Sequence, residues 1–234
     1  MENKELKHTE RELIALREEV NEMWKLVLSQ LEKSKQAFLN KDMELAREVV
    51  SREKRVDAFE LKIDSDGENY IALYAPVAID LRLVLSMIKI SSTLERIGDF
   101  AEGIARHVIE DECLQIDAKL VEELQIENMF DMVISMLADS FVALDSENTK
   151  LSGKILGKDE RVDDLYRKAI YTLAEHVKSD PSSAECCMKT LLMVRKLERI
   201  GDHCGNIVEE IVFYIDAKVL KHARKVAGVA KEKI

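Results

Sequence analysis

LERIGD occupies residues 94–99 and returns unchanged at residues 197–202. Six identical residues 103 positions apart mark an internal duplication. Each copy sets a glycine within a helical pattern and carries two carboxylates four residues apart. Around the first copy, Leu83, Met87, Ile90, Leu94, Ile97, Ala101, Ile104 and Val108 alternate spacings of four and three, the seam of a helix that packs in a bundle. Around the second, Leu197, Ile200, Cys204, Ile207, Ile211 and Tyr214 repeat it. Upstream, SREKRVDAFELK (51–62) aligns with GKDERVDDLYRK (157–168) at an offset of 106. The chain therefore reads as all-α, a tandem repeat of two antiparallel three-helix bundles, with residues 1–115 as the first repeat and 116–234 as the second.

Composition agrees. Two prolines and eight glycines in 234 residues leave few turns, and 47% apolar residues supply a sizeable core. The breaks are LNKD (39–42) with an N-cap at Asp42, YAPVAID (74–80) with Pro76 in the first turn of a new helix, DECLQID (111–117), SENTKLSG (146–153), and SDPSSAE (179–185) with Asp180 capping Pro181. They predict six helices at roughly 5–39, 42–73, 76–111, 117–146, 150–178 and 181–222.

The net charge of −10 opposes nonspecific binding to nucleic acid or anionic lipid. The basic segment 217–234 reads as a charge-complemented helix end or a docking tail. Cys113, Cys186, Cys187 and Cys204 form no CxxC pair and read as free thiols in a reducing compartment. The N-terminus MENKELKHTERE is too polar for a secretory signal, and the longest apolar run, YIALYAPVAI (70–79), is too short to span a bilayer. A soluble cytoplasmic protein is expected.

The carboxylates are arranged as well as abundant. Each repeat has two acidic pairs at i, i+4: Glu53/Asp57 and Glu95/Asp99, then Asp159/Asp163 and Glu198/Asp202. Residues four apart share a helix face. Glu53 with Asp99 and Asp57 with Glu95 are both centred on Pro76, and the second set is centred on the Asp180–Pro181 turn. In antiparallel hairpins four carboxylates then meet at one height, roughly 28 Å from each turn. Their heptad places predict an outer flank open to solvent, with His203 pointing away into water. Arg55, Arg96, Arg161 and Arg199 could neutralise the acids as surface ion pairs; a hard cation such as Mg²⁺, Mn²⁺, Ca²⁺ or iron is the alternative. Gly98 and Gly201 either permit close helix approach or keep bulk away from the acids.

Two ExxxD copies in such a repeat, with SREKRVDAFELKI, APVAIDLRLVLSMIKISSTLERIGDFAEGIA, GKDERVDDLYRKAI and MVRKLERIGDHCGNIVEEI, resemble the PhoU family of phosphate-transport accessory proteins over roughly residues 10–220. The resemblance implies two three-helix bundles with pseudo-twofold symmetry, a homodimer, and a cytoplasmic, non-enzymatic regulator. Such a regulator connects the ATPase subunit of the phosphate ABC transporter to the phosphate-sensing histidine kinase and represses the starvation response. It also implies iron or zinc on surface clusters, with Glu53, Asp57, Glu95, Asp99, Asp159, Asp163, Glu198 and Asp202 as metal ligands. The second repeat departs from the pattern, because it lacks the Asp80-Leu81-Arg82 lead-in. Either those residues contact a partner or they brace their own helix. Two competing functions remain: a carboxylate di-metal oxidase, which needs paired Glu-x-x-His motifs and finds only Glu5–His8, and a metal-free helical scaffold. No GxxxxGK[ST] phosphate loop is present.

Overall fold

The computed structural model describes residues 8–110 and 118–220. Seven α-helices account for nearly all of them: α1 (His8–Asn40), α2 (Met43–Tyr74), α3 (Ala78–Glu110), α4 (Ala118–Glu123), α5 (Ile126–Asp145), α6 (Ser152–Ser179) and α7 (Ala184–Asp216). Single 3-10 turns at Thr149–Leu151 and Pro181–Ser183 lead into α6 and α7. Helices α1, α2 and α3 pack on one another as the first bundle, and α5, α6 and α7 as the second.

The breaks have local causes. Asp42 accepts a hydrogen bond from the Leu45 amide and starts α2. Asp180 caps likewise onto the Ser182 amide, with Pro181 at the first helical position. Pro76 differs from the expectation: it lies in the link before α3, between Ala75 and Ala78, which both take the left-handed conformation (φ 44° and 50°). The predicted helix 117–146 is two helices, because Gln125 turns left-handed (φ 53°) and re-aims the chain so that Ile126 and Met129 are buried. No glycine or proline announces that break. The last helix ends at Asp216, where Ala217 is a left-handed C-cap, short of the expected residue 222. The 111–117 boundary, Glu5, Cys113 and most of the basic tail lie outside the described residues.

The two bundles share one apolar core. Trp24 on α1 is 1% exposed, meets Phe141 edge-on at 5.7 Å and donates its indole N–H to the Leu137 carbonyl. Phe38 packs beside Phe130. Between bundles, α3 runs antiparallel to α7: Ser86 donates to the Glu210 carbonyl and Lys89 pairs with the Glu210 carboxylate at 3.1 Å. Arg82 donates from Nε to the Tyr214 carbonyl, an orphan acceptor in the last turn of α7. The Tyr214 hydroxyl donates to Glu147, which also pairs with Arg17. The unduplicated Arg82 is thus a brace across the repeats.

The cysteines correct one expectation. Cys187 and Cys204 are buried and free, but Cys186 is disulfide-bonded.

Candidate metal centre

The α2–α3 hairpin sets the members of the first acidic group within electrostatic reach of one another, but does not bring three of their oxygens within 4.8 Å. Glu53 points into the angle between the helices and is 8% exposed, against the expectation of an open flank. With Val56 on the seam, Glu53 stands three residues earlier at its edge, and α3 closes over it. Its Oε2 accepts a 3.3 Å hydrogen bond from Gln30 of α1, while Oε1 is buried with no donor. Gly98 makes room: a Cβ there would lie 3.4 Å from Glu53 Oε1 and 3.3 Å from Val56 Cγ1. Both readings of the glycine therefore hold, because the helices approach closely and the carboxylate occupies the space.

Burial, then Asp99, Glu102 and Asp57, push the Glu53 carboxyl up to about 7. Burial, then Asp99 and Glu60, do the same to Glu95, also to about 7. Asp99 is raised by burial, Glu102 and Asp57. Asp57 itself is exposed.

The α6–α7 hairpin builds the second set. Asp159 is 2% exposed, again a correction to the open-flank expectation. A Cβ on Gly201 would lie 3.0 Å from Asp159 Oδ1, so the glycine keeps the space that this carboxylate fills. Asp159, Asp163 and Asp202 each offer an oxygen within 4.8 Å of the others. Glu198 is raised by burial, then by Asp202 and Asp163, and its Oε2 is buried without a donor. Arg167 lies 3.8 Å from Asp163.

The neighbouring arginines do not cancel this charge. Arg96 and Arg199 oppose the shifts of Glu95 and Glu198 but leave both raised. Arg55 lies over the Phe59 ring at 5.8 Å. His203 is not solvated as expected: it stacks on Phe100 at 5.6 Å between α7 and α3, with Nε2 buried and without a hydrogen-bond partner. Burial, then Arg199 and Arg96, lower its pKa.

All eight expected ligands thus fall on two hairpins, four to each. Sequence reading missed Gln30, which no motif marks, and Glu60 and Glu102, which extend each ExxxD by three residues. All-oxygen donors of this kind suit hard cations. The buried Glu53 Oε1 without a donor fits a cation, which would supply the missing positive partner.

Architecture and site define a class: a tandem three-helix-bundle protein with paired carboxylate clusters. The PhoU domain family model matches residues 20–108 and 126–211, and the chain belongs to that family. It is 34% identical over 212 residues to the phosphate-specific transport system accessory protein PhoU homolog of Aquifex aeolicus, covering 91% of this chain and 95% of that one. It is 33% identical over 211 residues to the phosphate-specific transport system accessory protein PhoU of Escherichia coli, covering 90% and 86%. The crystal structure of PhoU from Pseudomonas aeruginosa superposes with a TM-score of 0.80 at 28% identity, over 89% of this chain and 99% of that chain. No described helix is long and apolar enough to cross a membrane.

Proposed function

We propose that this protein regulates phosphate uptake as a non-catalytic adaptor, and that it binds hard cations at its two carboxylate clusters. The relatives' role as accessory proteins of phosphate-specific transport supports the first part. The observation that carries the second is the buried Glu53 Oε1 without a donor, inside a set of raised carboxylates. A cation there would draw α2 and α3 together and fix the surface offered to partners. Glu53, Asp57, Glu95 and Asp99 would hold one site and Asp159, Asp163, Glu198 and Asp202 the other. Iron follows the family resemblance and suits the donor set; zinc suits it less.

The partners proposed are the ATPase subunit of the phosphate ABC transporter and the phosphate-sensing histidine kinase, met on the cytoplasmic side, with the adaptor as a homodimer. Pull-down with both, together with deletion, tests this. Retention of at least one partner and derepressed phosphate-responsive transcription are expected; binding to neither and unchanged transcription contradict it.

A further inference from the structure

The seam where α3 meets α7 carries a line of basic side chains outside the carboxylate clusters. The two helices run antiparallel, so contacts recur about every two turns, seven positions on along α3 and seven back along α7. Lys89 pairs with Glu210. Seven positions on, Arg96 stands level with His203. Seven further, Gly103 meets Lys196, whose Cε would lie 2.6 Å from a Cβ at that glycine. By the same register Phe100 stands level with Arg199.

Arg96 and Arg199 hold the same place in the two LERIGD copies, and Phe100 and His203 are the residues that follow each copy. The stacked rings, 5.6 Å between centroids, therefore mark the local twofold axis that relates the repeats, with one arginine on either side. Burial, then Arg199 and Arg96, lower the His203 pKa, so both guanidinium groups lie within electrostatic reach of that ring, with Asp202 opposing them. Both arginines are exposed, and among the described residues neither comes within ion-pair distance of a carboxylate. His203 Nε2 is buried and has no hydrogen-bond partner. Along the seam Lys89, Arg96, Lys196 and Arg199 stand against one acid, Glu210, which Lys89 takes. In a chain of net charge −10 this is a concentrated positive line.

We propose that this seam binds a free tetrahedral oxyanion, inorganic phosphate, held between Arg96 and Arg199 with His203 beside them. The register sets the two arginine backbones about 6 Å apart along the helices and about 8–10 Å across, a span that two extended side chains close on one ion. Guanidinium forks match the edges of a phosphate and form charge-assisted, bidentate hydrogen bonds with it. A tetrahedral ion has twofold axes of its own, which suits two equivalent arginines astride one. His203 offers the ring nitrogen that lacks a partner. Each repeat supplies one arginine, so the ion ties α3 to α7 and makes its occupancy sensitive to how the bundles are set against each other. The inference deepens the phosphate-regulation reading, but its geometry depends neither on cations at the carboxylates nor on a partner protein.

The test is equilibrium dialysis of the metal-free full chain against radiolabelled inorganic phosphate, with ATP as a second arm. Chelator throughout keeps cations from recruiting phosphate to the carboxylates. A single phosphate per wild-type chain is expected. Arg96→Gln/Arg199→Gln should lower the affinity by about tenfold or more. Arg47→Gln removes an equal charge from α2, where Arg47 pairs with Glu44, and should leave the affinity unchanged. Melting followed by circular dichroism confirms that each variant is folded, and Arg199→Gln alone replaces the double variant if that does not fold. No phosphate uptake by the wild type overturns the proposal. So does wild-type affinity in Arg96→Gln/Arg199→Gln, or in Arg199→Gln where it stands in. An equal loss in Arg47→Gln, or uptake of ATP without uptake of phosphate, overturns it as well. The adaptor reading survives each of these results, because partner pull-down is scored separately.

Discussion

Glu53 concentrates the physics of the site in one residue. Its charged form suffers from burial and from three neighbouring carboxylates, and only Gln30 offers a donor. The carboxyl titrates near 4.5 when unfolded and near 7 when folded. Between those values the folded chain holds more protons than the unfolded one. The stability this group contributes is full below about 4.5 and is lost as the pH rises through about 7. Glu95 acts in the same direction. Thermal melts of metal-free protein should therefore show a melting temperature that falls between pH 5 and pH 8, and a bound cation should flatten that fall. In the metal-free chain at pH 8, Glu53→Gln should raise stability by on the order of 2 kcal/mol, because the amide carries no charge to bury. A lower melting point for that variant would contradict this account.

The glycine of LERIGD makes an opposite prediction. Gly201→Ala gains about 1 kcal/mol of helix propensity in isolation. In place, its Cβ meets Asp159 Oδ1 at 3.0 Å, so the carboxylate must shift. Cation affinity at the second site should drop while the helix content by circular dichroism holds. Gly201→Ala with unchanged affinity would show that the space is not used for the carboxylate.

At the scale of elements, the heptads around LERIGD and the caps at Asp42 and Asp180 were legible in sequence because each is local. The i, i+4 pairs were also legible, and the symmetry about each turn placed them on facing helices. What sequence could not carry was depth. The seam assigned the acids to an outer flank, but Glu53 and Asp159 sit at its edge, and the glycine opposite each lets the neighbouring helix cover it. The break at Gln125 and the stacking of His203 on Phe100 were hidden for a similar reason, since both are set by partners distant in sequence. Arg82 is a further case: its brace onto the Tyr214 carbonyl spans 132 residues. Arg82→Ala should cost about 1 kcal/mol in urea denaturation and raise amide exchange in the last turn of α7.

At the scale of the molecule, the repeats are not independent bodies. Trp24 of the first bundle is buried against Leu137 and Phe141 of the second, within one continuous core. Trp24→Ala should cost about 3–5 kcal/mol. A single cooperative transition is expected for the whole chain, with coincident fluorescence and circular dichroism melts. Two separated transitions would show that the bundles unfold apart. On the proposed reading, cations at the two hairpins would also act on overall shape, since α3 and α7, which carry LERIGD, form the larger part of the contact between bundles.

The central claim is that the mirrored carboxylates are cation sites and not merely a charged face. Metal analysis of the purified, dialysed full chain tests it most directly, alongside a variant carrying Glu53→Gln, Asp99→Asn, Asp159→Asn and Asp202→Asn. Bound cation in the wild type, lost in the folded variant, is the predicted result; a wild type without metal after supplementation, or a variant that retains it, contradicts the claim.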